Sequence, residues 1–64
     1  MKKLREIRIK LGMSQVELAE RVGVNYRTIS TYEIGTRELP VKVAKKIGEL
    51  LEIDWWTLYE DEED

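Results

Sequence analysis

An all-α domain of five short helices, at about residues 2–11, 15–22, 26–34, 41–51 and 55–59, is the fold class that this sequence predicts. Three observations carry it. Core-facing positions recur at helical spacing in successive stretches: i, i+3, i+4, i+7 from Leu4, i, i+1, i+4 from Leu18, and i, i+1, i+4, i+7, i+8 from Val43. Residues that cap helix N-termini well, Ser14, Asn25 and Asp54, stand just ahead of three of those stretches. Gly12, Gly23 and Gly35 stand where a helix must stop, because glycine takes a left-handed backbone without a Cβ penalty.

Leu4, Ile7, Arg8 and Leu11 give the first helix one inward face, with an arginine inside the apolar stripe. Ser14 opens the second. Its hydroxyl can accept from the Glu17 N–H while the Glu17 carboxylate reaches back to Ser14, a capping box. Leu18, Ala19 and Val22 form that helix's stripe, and Gly23 ends it. Asn25 opens the third helix, where Ile29, Tyr32 and Glu33 share a face and Gly35 is the stop. Residues 36–40 form a connector whose Pro40 fits the start of the next helix. Val43, Ala44, Ile47, Leu50 and Leu51 make the fourth helix the most amphipathic of the five, with Lys42, Lys45, Lys46 and Glu49 outside. Gly48, mid-helix, costs about 1 kcal/mol against alanine, so close packing is its expected reason.

Asp54 is placed to cap a last short helix carrying Trp55 and Trp56. Neighbours on a helix project about 100° apart, so one Trp can complete the core while the other stays partly exposed. Met13, Val24 and Ile53 each precede a cap, with Leu18, Ile29 and Leu58 at the fourth helical position. Such hydrophobic staples fix the angle at which the chain enters a helix. Three staples in so short a chain indicate that inter-helix angles matter.

Sixty-four residues make one domain, with residues 1–59 as its body and 60–64 an acidic tail expected to be disordered. The net charge is −2, but the tail EDEED holds five of the thirteen acidic residues. The body therefore carries 11 Lys/Arg against 8 Asp/Glu, a balance of +3. Without Cys there is no disulfide framework, which suits a cytoplasmic setting. Without His the usual general base and the commonest metal ligand are missing, so neither an enzyme nor a metal or other cofactor is expected. No apolar run is long enough to span a membrane.

Arg8 and Glu33 both point into apolar stripes, and an unpaired buried charge costs several kcal/mol. They can meet as an ion pair; the alternative is that Arg8 extends to solvent while Glu33 sits on the rim.

Two helices of about two turns joined by a glycine turn follow the helix-turn-helix plan. With Leu18, Ala19, Val22, Gly23, Val24, Ile29 and Glu33 at their present spacing, the chain resembles the Cro/repressor-type (XRE-like) DNA-binding family from about Leu4 to Tyr59. The resemblance implies a compact repressor-like domain that binds double-stranded DNA and regulates transcription, with helix 26–34 in the major groove. It implies base reading by Tyr26, Arg27, Ser30 and Thr31, and phosphate contacts from Ser14, Gln15, Asn25, Thr36 and Arg37. It also favours the structural pair Arg8–Glu33 and makes Trp55 the more buried tryptophan. Ile34 departs from the pattern, since the family commonly has Asn there near a phosphate. The implied partner is a two-fold symmetric operator. An exposed aromatic is enriched at protein interfaces, so a homodimer through Trp55/Trp56 and the 36–40 connector can bind it; the alternative is a rim-packed side chain. The competing reading is a protein-interaction module on the same fold, antitoxin-like or an assembly protein. The acidic tail and the spare Trp favour that reading.

Overall fold

The computed structural model describes residues 1–60; positions 61–64, most of the tail expected to be disordered, lie outside the described residues. Four α-helices follow in order, α1 (Lys2–Lys10), α2 (Gln15–Val22), α3 (Tyr26–Ile34) and α4 (Val41–Leu51). All regular structure among the described residues is helical.

The expected fifth α-helix is instead a 3-10 helix, Trp55–Tyr59. Five residues are too few to offset the cost of α nucleation, and three residues per turn suits the side chains better here. Trp55 and Leu58 then align inward, half-buried and fully buried, while Trp56 and Tyr59 align outward at 52% and 41% exposure. Asp54 does not cap this helix with its side chain. Its carbonyl serves instead, accepting from Thr57 N at 3.0 Å and Thr57 Oγ1 at 2.6 Å.

Leu4, Leu18, Ala19, Val22, Ile29, Tyr32, Leu39, Ala44, Ile47 and Leu58 form one core. Burying each large aliphatic member is worth about 1.5–3 kcal/mol. Leu39 joins it from the connector, which carries no helical period to announce it. Two stripe residues fall outside the core. Helix α1 stops at Lys10 and the chain turns at Gly12 (φ +73°), which leaves Leu11 51% exposed. Leu50 is 39% exposed. It lies roughly 100° from the stripe that Ala44, Ile47, Gly48 and Leu51 turn inward.

Gly48 lets the 3-10 helix close on α4. A Cβ there would lie 2.9 Å from the Ile53 carbonyl oxygen and 2.9 Å from Trp55 Cβ. Tyr59 fastens the other end, its hydroxyl donating to the Leu39 carbonyl at 2.6 Å.

Candidate nucleic-acid interface

The turn between α2 and α3 is built from backbone and caps. Gly23 takes φ +88°, and both its N–H and that of Val24 donate to the Ala19 carbonyl, at 2.8 and 3.0 Å. Ahead of α2 the capping box is complete: Glu17 N donates to Ser14 Oγ at 3.0 Å and Ser14 N to Glu17 Oε1 at 2.8 Å. Asn25 caps α3, with Oδ1 accepting from Arg27 N at 2.8 Å. Ser14 and Asn25 therefore hold helix ends with the same oxygens that mark them as polar surface residues. At the far end Gly35, φ +97°, closes α3 through a 2.9 Å bond to the Thr31 carbonyl.

One carboxylate ties three helices together. Arg8 of α1 donates to Glu33 of α3 through Nε to Oε2 at 2.7 Å and Nη2 to Oε1 at 3.1 Å, the forked geometry of a strong charged pair. Gln15, the first residue of α2, donates Nε2 to the same Oε1 at 3.0 Å. Arg8 Nη1 reaches the Met13 carbonyl at 2.8 Å, fixing the chain just before α2. Arg8 and Glu33 are buried, at 9% and 8% exposure. Burial by itself would raise the Glu33 pKa. The hydrogen bonds from Arg8 and Gln15, with the charges of Arg8 and Arg5, outweigh it and hold the carboxyl below its usual range. The hydrogen bond to Glu33 drives Arg8 the other way, further toward its charged form, against the opposing effect of burial. Neither charge is orphaned: among the described residues no buried side-chain polar atom lacks a partner.

The outward face of α3 carries Tyr26, 44% exposed, and Arg27, exposed, at its N-terminal end. The Arg27 guanidinium lies 5.8 Å from the Tyr26 ring centroid, and its Nε makes a long 3.5 Å contact with the Tyr26 hydroxyl. Ser30 and Thr31 follow one turn on, both half-buried. Thr31 Oγ1 donates back to the Thr28 carbonyl at 2.7 Å. Ile34 ends the face at 71% exposure. Thr36 and Arg37 are exposed just beyond it.

The residues singled out in the sequence thus form two groups. Arg8, Ser14, Gln15 and Glu33 converge at the start of α2; Asn25, Tyr26, Arg27, Ser30 and Thr31 share α3 and its cap. Thr36 and Arg37 belong to the connector, where Thr36 Oγ1 approaches the Thr31 carbonyl at 3.5 Å. Two contributors escaped sequence reasoning. The Met13 carbonyl is a backbone group with no residue-type signal. The Met1 ammonium donates to the Tyr32 and Glu33 carbonyls at 3.1 and 3.0 Å, bracing the end of α3.

Chemically the arrangement offers hydrogen-bond donors. The start of α2 presents backbone N–H groups, as any helix N-terminus does. Gln15 retains a second amide N–H beyond the one that Glu33 takes. Among the described residues no three His, Cys, Asp or Glu converge as metal ligands.

Comparison with known proteins agrees with this layout. The family described as Helix-turn-helix (HTH_3) matches residues 4–55, from the middle of α1 to the start of the 3-10 helix. An uncharacterised HTH-type transcriptional regulator of Bacillus subtilis, YqaF, is 38% identical over 58 residues, covering 91% of this chain and 76% of that protein. An uncharacterised HTH-type transcriptional regulator of Archaeoglobus fulgidus is 38% identical over 63 residues, covering 95% of this chain and 90% of that protein. With a matched motif that spans four-fifths of its length and the capped helix–turn–helix geometry just described, the chain belongs to the XRE-like helix-turn-helix family.

Proposed function

We propose that this protein is a sequence-specific transcriptional regulator of the repressor/Cro-like kind, binding double-stranded DNA with α3 in the major groove. The observation that carries this reading is the three-way tie at Glu33. It makes α2 and α3 one rigid unit, so that a phosphate contact at the start of α2 fixes the depth and register of α3. Arg27 and Thr31, with Tyr26 and Ser30, read base edges; helix-turn-helix proteins use the N-terminal part of the second helix in this way. Ser14 and Gln15 bind a phosphate at the α2 N-terminus, where backbone N–H groups and the helix dipole favour an anion. Asn25, Thr36 and Arg37 add backbone contacts on either side.

The names of the two relatives support a regulatory role, and the +3 balance of residues 1–59 supports a polyanionic partner. Residues 1–59 act as the binding domain, with 60–64 an acidic appendage, and the protein works in the cytoplasm without catalysis. A homodimer on a two-fold operator is the fitting assembly. Trp56 and Tyr59 share the outward side of the 3-10 helix, and the Tyr59–Leu39 bond makes that side continuous with the connector.

Selection of bound sequences from random duplex DNA tests the proposal. Enrichment of a two-fold symmetric site with half-sites about 34 Å apart is expected. Recovery of no preferred sequence would transfer the case to a protein-interaction module.

A further inference from the structure

We propose that Thr31 reads the C5-methyl group of a pyrimidine in the major groove, thymine or 5-methylcytosine, rather than donating a hydrogen bond to a base edge. The inference rests on the DNA-reading function proposed above and specifies the chemistry at one of its positions.

Residue type alone leaves that chemistry open. A threonine facing a groove can donate a hydrogen bond, accept one, or present its methyl group. Here the hydroxyl proton has a partner already. Oγ1 donates to the Thr28 carbonyl one turn back at 2.7 Å, the optimal length for an O–H···O bond. Turning that proton toward a base would break a well-formed bond within the helix to make an equivalent one outside it, so donation to guanine or thymine oxygens gains little. With the hydroxyl proton committed to the helix's own backbone, the γ-methyl is the group of this side chain suited to a direct apolar contact.

Its neighbours divide the labour. Arg27 lies four residues earlier on the same face. Its Nε faces the Tyr26 hydroxyl, which leaves the end-on Nη groups for a guanine. The half-site that fits α3 therefore pairs a guanine opposite Arg27 with a methylated pyrimidine opposite Thr31.

The experiment takes an operator obtained by selection and replaces the thymines of each half-site, one at a time, by uracil, which removes only the methyl group. At one position per half-site the parent protein should lose about four-fold in affinity, and about fifteen-fold when both half-sites are changed, the worth of one buried methyl each. At that position cytosine should bind more weakly than 5-methylcytosine, and comparison of thymine with 5-methylcytosine shows which source of the methyl is preferred. T31V, which keeps the methyl, should retain the thymine-over-uracil preference. T31S, which keeps the hydroxyl, should lose it. Indifference of the parent to uracil at every position overturns the assignment, as does retention of the preference by T31S with its loss in T31V. If the parent binds no duplex at all, the DNA-reading function itself falls, an outcome distinct from tight binding that ignores the methyl group.

Discussion

Gln15 and Glu33 are joined by a 3.0 Å hydrogen bond from Nε2 to Oε1, between the first residue of α2 and the last turn of α3. The same oxygen accepts from Arg8 Nη2 at 3.1 Å. A side chain proposed to hold phosphate is thus itself held by a residue of α3, the helix proposed to read the bases. In the proposed function, positioning on the DNA backbone and reading of the bases would therefore be mechanically coupled.

That structure depends on a buried charge pair. Replacing Arg8 by Met or Glu33 by Leu alone leaves the other charge buried without its partner, and each should cost about 3–5 kcal/mol. The double variant should recover much of the loss, because a well-packed apolar pair of similar volume needs no desolvation. Urea unfolding of all four proteins measures the coupling. A coupling energy near zero would mean that the pair, although formed, contributes nothing specific.

The lowered pKa of Glu33 sets a pH dependence with a defined sign. Its carboxylate form is favoured in the folded protein, so its contribution is complete above the ordinary value of 4.5 and is lost as pH falls through the depressed folded value. Parent and E33Q should therefore differ most in unfolding free energy near neutral pH, and the gap should narrow as pH falls below 4.5. A gap that stays constant from pH 7 to pH 3 contradicts the linkage.

Gly48 offers a test in which propensity and packing oppose each other. In an exposed helix Gly→Ala gains about 1 kcal/mol. Here the new methyl would meet the Ile53 carbonyl and Trp55 at 2.9 Å, and carbonyl oxygen on backbone cannot rotate away. Overpacking of this kind costs about 1–3 kcal/mol, so G48A should melt lower than the parent. A raised melting temperature would show that the 3-10 helix shifts freely on α4.

These tests also mark what was legible in the sequence and what was not. Ser14, Glu17, Asn25 and the glycines carry single-residue signals, so the starts of α2 and α3 and the turn between them could be read directly. Arg8 and Glu33 betray themselves by interrupting apolar stripes. The Gln15–Glu33 bond has no such signature, because a polar residue at a helix start has many acceptable partners and no period links positions 15 and 33. Trp55–Tyr59 is too short for its sequence to tell α from 3-10, because five residues give neither spacing enough repeats to decide. The burial of Leu39 is hidden for a related reason: a connector has no period from which burial can be inferred. On α3 the surface residues were legible as a set. Their commitments were not: the Thr31 proton on Thr28 and the Asn25 oxygen on Arg27 are facts of geometry.

The central claim, that α3 reads and the start of α2 positions, separates two kinds of loss. Arg27→Ala should cost about 1–3 kcal/mol on the preferred operator and relax preference at one base pair per half-site. Gln15→Ala should weaken binding by a similar factor on every sequence and lower the salt dependence by about one phosphate's worth. Because Gln15→Ala also removes a hydrogen bond from Glu33, worth about 1 kcal/mol of stability, both variants are compared well below their melting temperatures. The most direct measurement is the affinity of parent, R27A and Q15A for a panel of single-base operator variants at fixed salt. The account predicts a flattened profile at one position for R27A and an unchanged profile, uniformly lowered, for Q15A. Uniform weakening by R27A across the whole panel would contradict it.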